Sequence, residues 1–191
     1  MNGGDCMKKS MMIVIGVVAF LALMLISMYN GLVKLEENVN SGYAAIEADL
    51  QRRTDLIPNL VSTVKEYAKH EKEVFADVTK SREKLIGAKT PEDLAAADAE
   101  MTSSIGRLLA ISEAYPELKA DKNFINLQDE LAGTENRIAV SRKDYNALVK
   151  DYNASIKTFP KVMLAGMFGF EEKEYFEAKE GAENVPSVDF E

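Results

Sequence analysis

The chain has 191 residues, a formal net charge of −8 and a hydrophobic content of 47%. So acidic a chain lacks the basic footprint that nucleic acid requires, and it has no electrostatic attraction to anionic lipid. Its one cysteine, Cys6, excludes an intrachain disulfide and a cysteine-based metal site.

The first predicted element is an uncharged apolar run from Met11 to Tyr29. At about 1.5 Å per helical residue the run matches the roughly 30 Å hydrocarbon core of a bilayer. Its apolar residues cover every helix face, unlike those of a core helix in a soluble protein. A cleaved signal peptide is the alternative, but the run is longer than usual and no small-x-small site follows it. We predict a short N-terminal segment, 1–10, and a transmembrane helix, 11–29.

The basic residues near this helix predict its orientation. Lys8 and Lys9 precede the run, whereas Lys34 follows it beside Glu36 and Glu37. The excess of positive charge on the N-terminal side predicts a cytoplasmic N-terminus and a domain outside the cytoplasm.

Downstream, apolar residues recur every three or four positions, which is typical of helices. The first stripe, Leu32 to Leu50, continues the membrane helix without a linker. Pro58 then interrupts the pattern and predicts either a kink or a helix restart capped by Asp55. The second stripe, from Leu60 to Leu85, predicts a second long helix that ends at Gly87.

A third helix begins with Thr90 as its cap and Pro91 in its first turn, and it ends near Tyr115-Pro116. A heptad seam predicts the fourth helix. The seam consists of Phe124, Leu127, Leu131, Thr134, Ile138, Ser141, Tyr145, Leu148, Tyr152 and Ser155. A short packed helix and a turn are predicted over 161–170.

These elements predict an all-α fold, in which the transmembrane helix precedes an elongated antiparallel bundle of three to four long helices over 30–170. The remaining residues, 171–191, form an acidic C-terminal tail. Two interpretations of this tail stay open. It is either disordered or an extended segment that docks onto the bundle or a partner.

The sequence offers little chemistry. His70 is the only histidine, so a two-histidine metal site is excluded, and the helical pattern places it within the second helix. The many paired carboxylates are typical of solvated helix faces. We predict no enzymatic activity, no cofactor, no metal, no nucleic-acid partner and no small-molecule substrate.

Two charged clusters stand out instead. Arg52-Arg53-Thr54-Asp55 precedes Pro58, and Glu135-Asn136-Arg137 interrupts the seam of the last helix. If the first and last helices pack together, Arg52 or Arg53 would pair with Glu135. Such a pair is either structural, fixing the helix register, or part of a polar recognition patch.

At these clusters the chain resembles the LemA family of bacterial membrane-anchored proteins, which has MamQ-like relatives. The resemblance covers nearly the whole chain. The most specific matching runs are Arg52-Arg53-x-Asp55-Leu56-Ile57-Pro58-Asn59-Leu60-Val61 and Thr134-Glu135-Asn136-Arg137-Ile138. The matching motifs also include Val64-Lys65-x-Tyr67-Ala68, His70-Glu71, Arg142-x-x-Tyr145-Asn146 and Tyr152-Asn153.

The resemblance implies an N-terminal anchor followed by a helical bundle, and it carries over no enzyme activity. One branch of the family is linked to the building of membrane compartments. The resemblance leaves the opposite membrane orientation open.

We therefore predict a non-enzymatic scaffold or interaction protein, anchored by one span in the bacterial inner membrane, with its domain in the periplasm. Its expected partners are the membrane and either a second copy or an envelope protein. The alternative is an adaptor that regulates envelope quality control together with a membrane protease. The candidate interaction cluster comprises Arg52, Arg53, Asp55, Pro58, Asn59, His70, Glu71, Glu135, Asn136 and Arg137.

Overall fold

The computed structural model describes residues 3–176, with side chains from residue 11 onward. Every regular element in these residues is helical, which confirms the all-α prediction. The elements in chain order are α1 (Gly3–Tyr67), α2 (Lys72–Gly87), α3 (Pro91–Ala110), a 3₁₀ turn (Ile111–Ala114), α4 (Pro116–Lys119), α5 (Lys122–Lys157) and α6 (Lys161–Phe168).

The N-terminal apolar run lies on α1 and leaves its side chains uncovered. Every residue of the run except the half-buried Met28 is exposed, Phe20 and Leu23 by 67% each. Such a surface is unfavourable in water over this length, and the helix is long and apolar enough to cross a membrane. The exposure also removes the alternative of a buried core helix.

The chain divides into two compact units. Unit 1 comprises the chain up to Ser41 together with Leu148–Lys173. Unit 2 comprises Gly42–Ala147 together with the residues from Glu174 onward, and within it α2 and α3 pack on each other.

The predicted second helix is wrong in its bounds. α1 continues through Pro58 to Tyr67, so neither the restart nor the cap by Asp55 occurs. A turn follows, in which the Lys72 amide donates to the His70 carbonyl at 2.9 Å, and α2 begins there. His70 therefore lies in a turn and not within a helix. The end of α2 at Gly87 is confirmed.

The start of α3 and the seam of α5 follow the sequence pattern. Thr90 adopts an extended backbone, and its side chain accepts from the Asp93 amide at 3.1 Å, with Pro91 in the first turn. Every residue of the α5 seam is buried or half-buried, and Thr134 is fully buried while its hydroxyl donates to the Leu131 carbonyl. The seam thus identifies the inward face of α5.

The predicted helix and turn over 161–170 are present as α6 and Gly169. Gly169 has a left-handed backbone, with φ of 75°, and the Phe170 amide closes the end of the helix by donating to the Ala165 carbonyl at 3.0 Å. This conformation suits glycine because it has no Cβ. α6 is packed on one face only, since it buries Leu164 and Ala165 while most of its other residues are exposed.

Candidate functional site

A buried ionic cluster joins α1, α3 and α5 in unit 2. Asp98 accepts from Arg53 through Oδ1 and from Arg142 through Oδ2, each at 2.9 Å. The side chains of Arg53 and Asp98 are only 3% and 6% exposed, whereas that of Arg142 is 27% exposed. A carboxylate removed from water needs such partners, because leaving one charge alone is costly. Asp98 therefore fixes three helices through one side chain.

A side-chain hydrogen bond from Arg82 helps α1 to continue through Pro58. A proline has no amide hydrogen, so the carbonyl four residues earlier, that of Thr54, loses its helical donor. The Arg82 Nε donates to this carbonyl at 3.0 Å. A side chain of α2 thus replaces the missing backbone hydrogen bond of α1.

We expect Arg82→Ala to lower the free energy of unfolding by about 1–3 kcal/mol, because it leaves the buried Thr54 carbonyl without a donor. In a Pro58→Ala background the amide of residue 58 can donate to the Thr54 carbonyl. Arg82→Ala is then expected to lower the free energy of unfolding by less. Urea unfolding of the four proteins in detergent, followed by circular dichroism, measures this coupling. If Arg82→Ala lowers the free energy of unfolding equally with Pro58 present and in the Pro58→Ala background, Arg82 does not replace the hydrogen bond that the proline removes.

Exposed charges line the edge where α1 meets α5 in unit 2. Arg52 donates to Glu130 at 2.9 Å, and the Arg137 Nε lies 4.0 Å from Asp49, which also accepts from the Ser141 hydroxyl at 2.7 Å. The predicted pairing with Glu135 is therefore wrong, since Arg53 pairs with Asp98 and Arg52 with Glu130. Glu130 lies closer than Glu135 to the N-terminus of α5, so the observed pair corresponds to a different register of the two helices from the one predicted.

Hydrogen bonds lower the pKa values of two acids in unit 2, the exposed Glu130 and the half-buried Asp121. The hydrogen bond from Arg52, followed by its charge, holds the pKa of Glu130 below its ordinary value. The pKa of Asp121 is lowered chiefly because its carboxylate accepts from the Phe124 amide, at 2.9 Å, and also because the Tyr67 hydroxyl donates to it. Asp121 thereby caps the first turn of α5.

The Asp121 cap is expected to make α5 sensitive to acid. Its pKa in the folded protein is below the ordinary 3.8, so its stabilisation is complete above that value and is lost as the pH falls through the folded pKa. An NMR titration of the Asp121 carboxyl checks the direction of the shift. Tyr67→Phe should leave most of the shift in place, because the Phe124 amide is its main cause. A carboxyl titrating at or above 3.8 would contradict the assignment.

The first residues of the predicted C-terminal tail are held by side chains of α5. In unit 2, Asn146 donates to the Phe176 carbonyl and accepts from the Phe176 amide, both at 2.8 Å, and the Tyr145 hydroxyl donates to the Glu174 carbonyl. The Phe176 ring is buried, with Tyr145 at 5.7 Å and the guanidinium of Arg142 at 5.1 Å. Residues 177–191 lie outside the described residues, so the two interpretations of the tail stay open there.

A second asparagine acts in the same way in unit 1. Asn153 donates to the Lys173 carbonyl and accepts from its amide, both at 2.9 Å. The Lys173 ammonium pairs with Glu36 at 2.7 Å and lies over the Tyr152 ring at 5.8 Å. Burial, followed by the charges of Glu36 and Glu171, raises the pKa of the Tyr152 hydroxyl.

The predicted site residues therefore separate into an internal and an external group. Arg53 is internal. Glu71 is half-buried, and the other members are exposed, namely Arg52, Asp55, Pro58, Asn59, His70, Glu135, Asn136 and Arg137. The choice of site residues missed Arg82, Asp98, Arg142, Asn146 and Asn153, although three of these lie in the matching family motifs.

Comparison with known proteins identifies the family of the chain. Residues 42–190 match the LemA family. The magnetosome protein MamQ 2 of Paramagnetospirillum magneticum is 30% identical over 87% of this chain and 70% of its own length. The magnetosome protein MamQ of Magnetospirillum gryphiswaldense is 28% identical over the same shares. Protein LemA of Metamycoplasma hominis is 25% identical over 68% of this chain and 60% of its own length. The chain belongs to the LemA family.

Proposed function

We propose that this protein is a non-enzymatic, membrane-anchored helical scaffold of the bacterial envelope. The observation that carries the proposal is the continuity of α1, whose uncovered apolar run, Met11–Tyr29, leads directly into Leu32 and Val39, which are buried in unit 1. A helix without a flexible linker transmits the position of its membrane span to the residues that follow. A protein attached in this way is better suited to hold neighbouring proteins in a fixed arrangement in the membrane plane than to carry a freely moving domain.

The interaction surface that we propose is the exposed edge of α1 and α5 in unit 2, around Arg52, Glu135 and Arg137. These side chains are exposed, and Arg52 and Arg137 make only surface ion pairs. Such pairs contribute little stability, so this edge is free to exchange its partners for those of another protein. The buried cluster around Asp98 keeps the edge in place.

Self-association in vesicles tests the scaffold. Ala96 is exposed, and in a Cys6→Ser background Ala96→Cys gives a single labelling site. We expect energy transfer between donor- and acceptor-labelled copies, and competition by unlabelled protein. The combined variant Glu135→Arg/Arg137→Glu should weaken the transfer, whereas reversing the charge of the exposed Lys80 on α2 should not. Absence of transfer, together with no crosslinked envelope protein in cells, would refute the scaffold.

We further propose a single span in the inner membrane with the domain in the periplasm, because Lys8 and Lys9 flank the start of the run. The same Ala96→Cys protein tests this orientation in cells with an impermeant maleimide. Labelling after the outer membrane alone is opened supports a periplasmic domain. Labelling that also requires opening of the inner membrane would place the domain in the cytoplasm.

The second candidate function is an adaptor for a membrane protease, with the acidic tail as its contact. The side chains of α5 hold the chain as far as Phe176, so deleting Ala182–Glu191 removes none of these contacts. If this deletion abolishes crosslinking to a protease partner while helicity is unchanged, the adaptor is favoured. Unchanged crosslinking would count against it.

A further inference from the structure

The face of α6 turned away from the protein is unusually apolar. Val162, Met163 and Met167 are 42%, 66% and 75% exposed, and Phe159, just before the helix, is 76% exposed. At about 100° per residue these three helical positions and Gly166 lie on one face, opposite the buried Leu164 and Ala165. A contiguous exposed patch of large apolar side chains marks a contact surface.

α6 lies next to the point where the apolar run of α1 ends. Tyr29 is the last residue of that run, and its ring packs against Phe168 and Phe170 of unit 1, with centroid distances of 4.8 and 5.8 Å. Tyrosine side chains concentrate at the level of the lipid headgroups, because the ring is apolar and its hydroxyl is polar. α6 is therefore attached to α1 at the depth expected for the membrane surface.

The distribution of charged side chains around α6 is also compatible with a position at the membrane surface. Lys161 is the only charged residue of α6 and lies at its start, where its ammonium donates to the Ser155 hydroxyl at 2.8 Å. Lys157 pairs with Glu172 at 2.7 Å. The outward face of α6 carries no charge, so entering the apolar boundary requires no desolvation of an ion.

We propose that α6 lies in the membrane interface and inserts Phe159, Met163 and Met167 into the boundary between headgroups and acyl chains. The proposal rests on the proposed function, because it requires α1 to span the bilayer. The span supplies the main anchor, and α6 adds a second, peripheral contact in the leaflet from which α1 emerges. Two contacts fix the tilt and rotation of α1, which one span alone does not fix.

Depth measurements on the full chain test this proposal. Single cysteines replace Met163, Met167, Leu21 or Ala96 in a Cys6→Ser background and carry an environment-sensitive nitrobenzoxadiazole label. The proteins are reconstituted in phosphatidylcholine–phosphatidylglycerol vesicles with nitroxide-labelled lipids. Labels at 163 and 167 should be quenched most by nitroxides near the headgroup. The label at 21 should be quenched most by nitroxides deep in the acyl region, and the label at 96 by neither.

Each other outcome overturns the proposal in a distinguishable way. If the label at 21 is quenched while those at 163 and 167 report water, the anchor stands and the interfacial helix fails. If 163 and 167 are shielded from water but are not quenched by lipid nitroxides, protein covers the patch, and a second copy becomes its occupant. If the label at 21 also reports water, the membrane anchor fails together with the proposal.

Discussion

Replacing Asp98 by alanine is expected to lower the free energy of unfolding by about 3–5 kcal/mol, the range measured when one partner of a buried ion pair is removed. Asp98 is the shared acceptor of Arg53 and Arg142. Without it, the buried guanidinium of Arg53 keeps its charge and has no carboxylate. Urea unfolding of the detergent-solubilised protein, followed by circular dichroism, measures the loss.

Two companion variants separate the charge effect from lost packing. In Arg53→Met/Asp98→Leu both buried charges are replaced by apolar groups, so most of the stability should return. Arg52→Ala removes the exposed pair with Glu130 and should cost only about 0.2–1 kcal/mol. A loss below 1 kcal/mol for Asp98→Ala would mean that water reaches the cluster and screens it.

Replacing Phe176 by alanine is expected to destabilise the protein by about 3 kcal/mol, the lower end of the range for a buried aromatic side chain. Its ring is 4% exposed and contacts Tyr145 and Arg142. Side chains of α5 hold Glu174 and Phe176, so we expect the substitution to release this segment before the rest unfolds and thereby to limit the loss. The neighbouring Tyr175 is 44% exposed, so Tyr175→Ala is a matched control that should change little.

Limited proteolysis identifies the part of the molecule that responds. In Phe176→Ala we expect faster cleavage after Lys173, because the segment held by Asn146 is released more often. Cleavage in α2 and α3 should be unchanged. An equal increase at sites throughout unit 2 would show instead that Phe176 belongs to the global core.

Features that depend on neighbouring residues were predictable from the sequence. The Thr90 cap and the α5 seam each depend on residues within a few turns of one another, so pattern and propensity identify them. The apolar run of α1 was identified by its length and composition. The turn at His70 was missed because Lys69-His70-Glu71 contains no glycine or proline to signal the end of a helix.

Features that depend on distant residues were not predictable from the sequence. Pro58 suggested a break, and α1 continues because Arg82, which lies 28 residues from Thr54, donates to the Thr54 carbonyl in place of the missing amide. Asp98 is one of many acids, and its role depends on two arginines that lie 45 and 44 residues from it. The exposure of α6 could not be predicted either, because an apolar segment of eight residues is typical of a packed helix.

The hydrogen bond between Asp49 and Ser141 also has a consequence for biosynthesis. The two residues are 92 positions apart, and α1 is made long before α5. At about 5–20 residues per second, the ribosome needs roughly 5–18 s to extend the chain from Asp49 to Ser141. During that interval Ile46 and Leu50, which are buried in the complete protein, are already part of the chain while α5 is still incomplete. If the apolar run spans the bilayer as we propose, it is made earlier still, and the newly made chain waits for its last long helix already attached to the membrane.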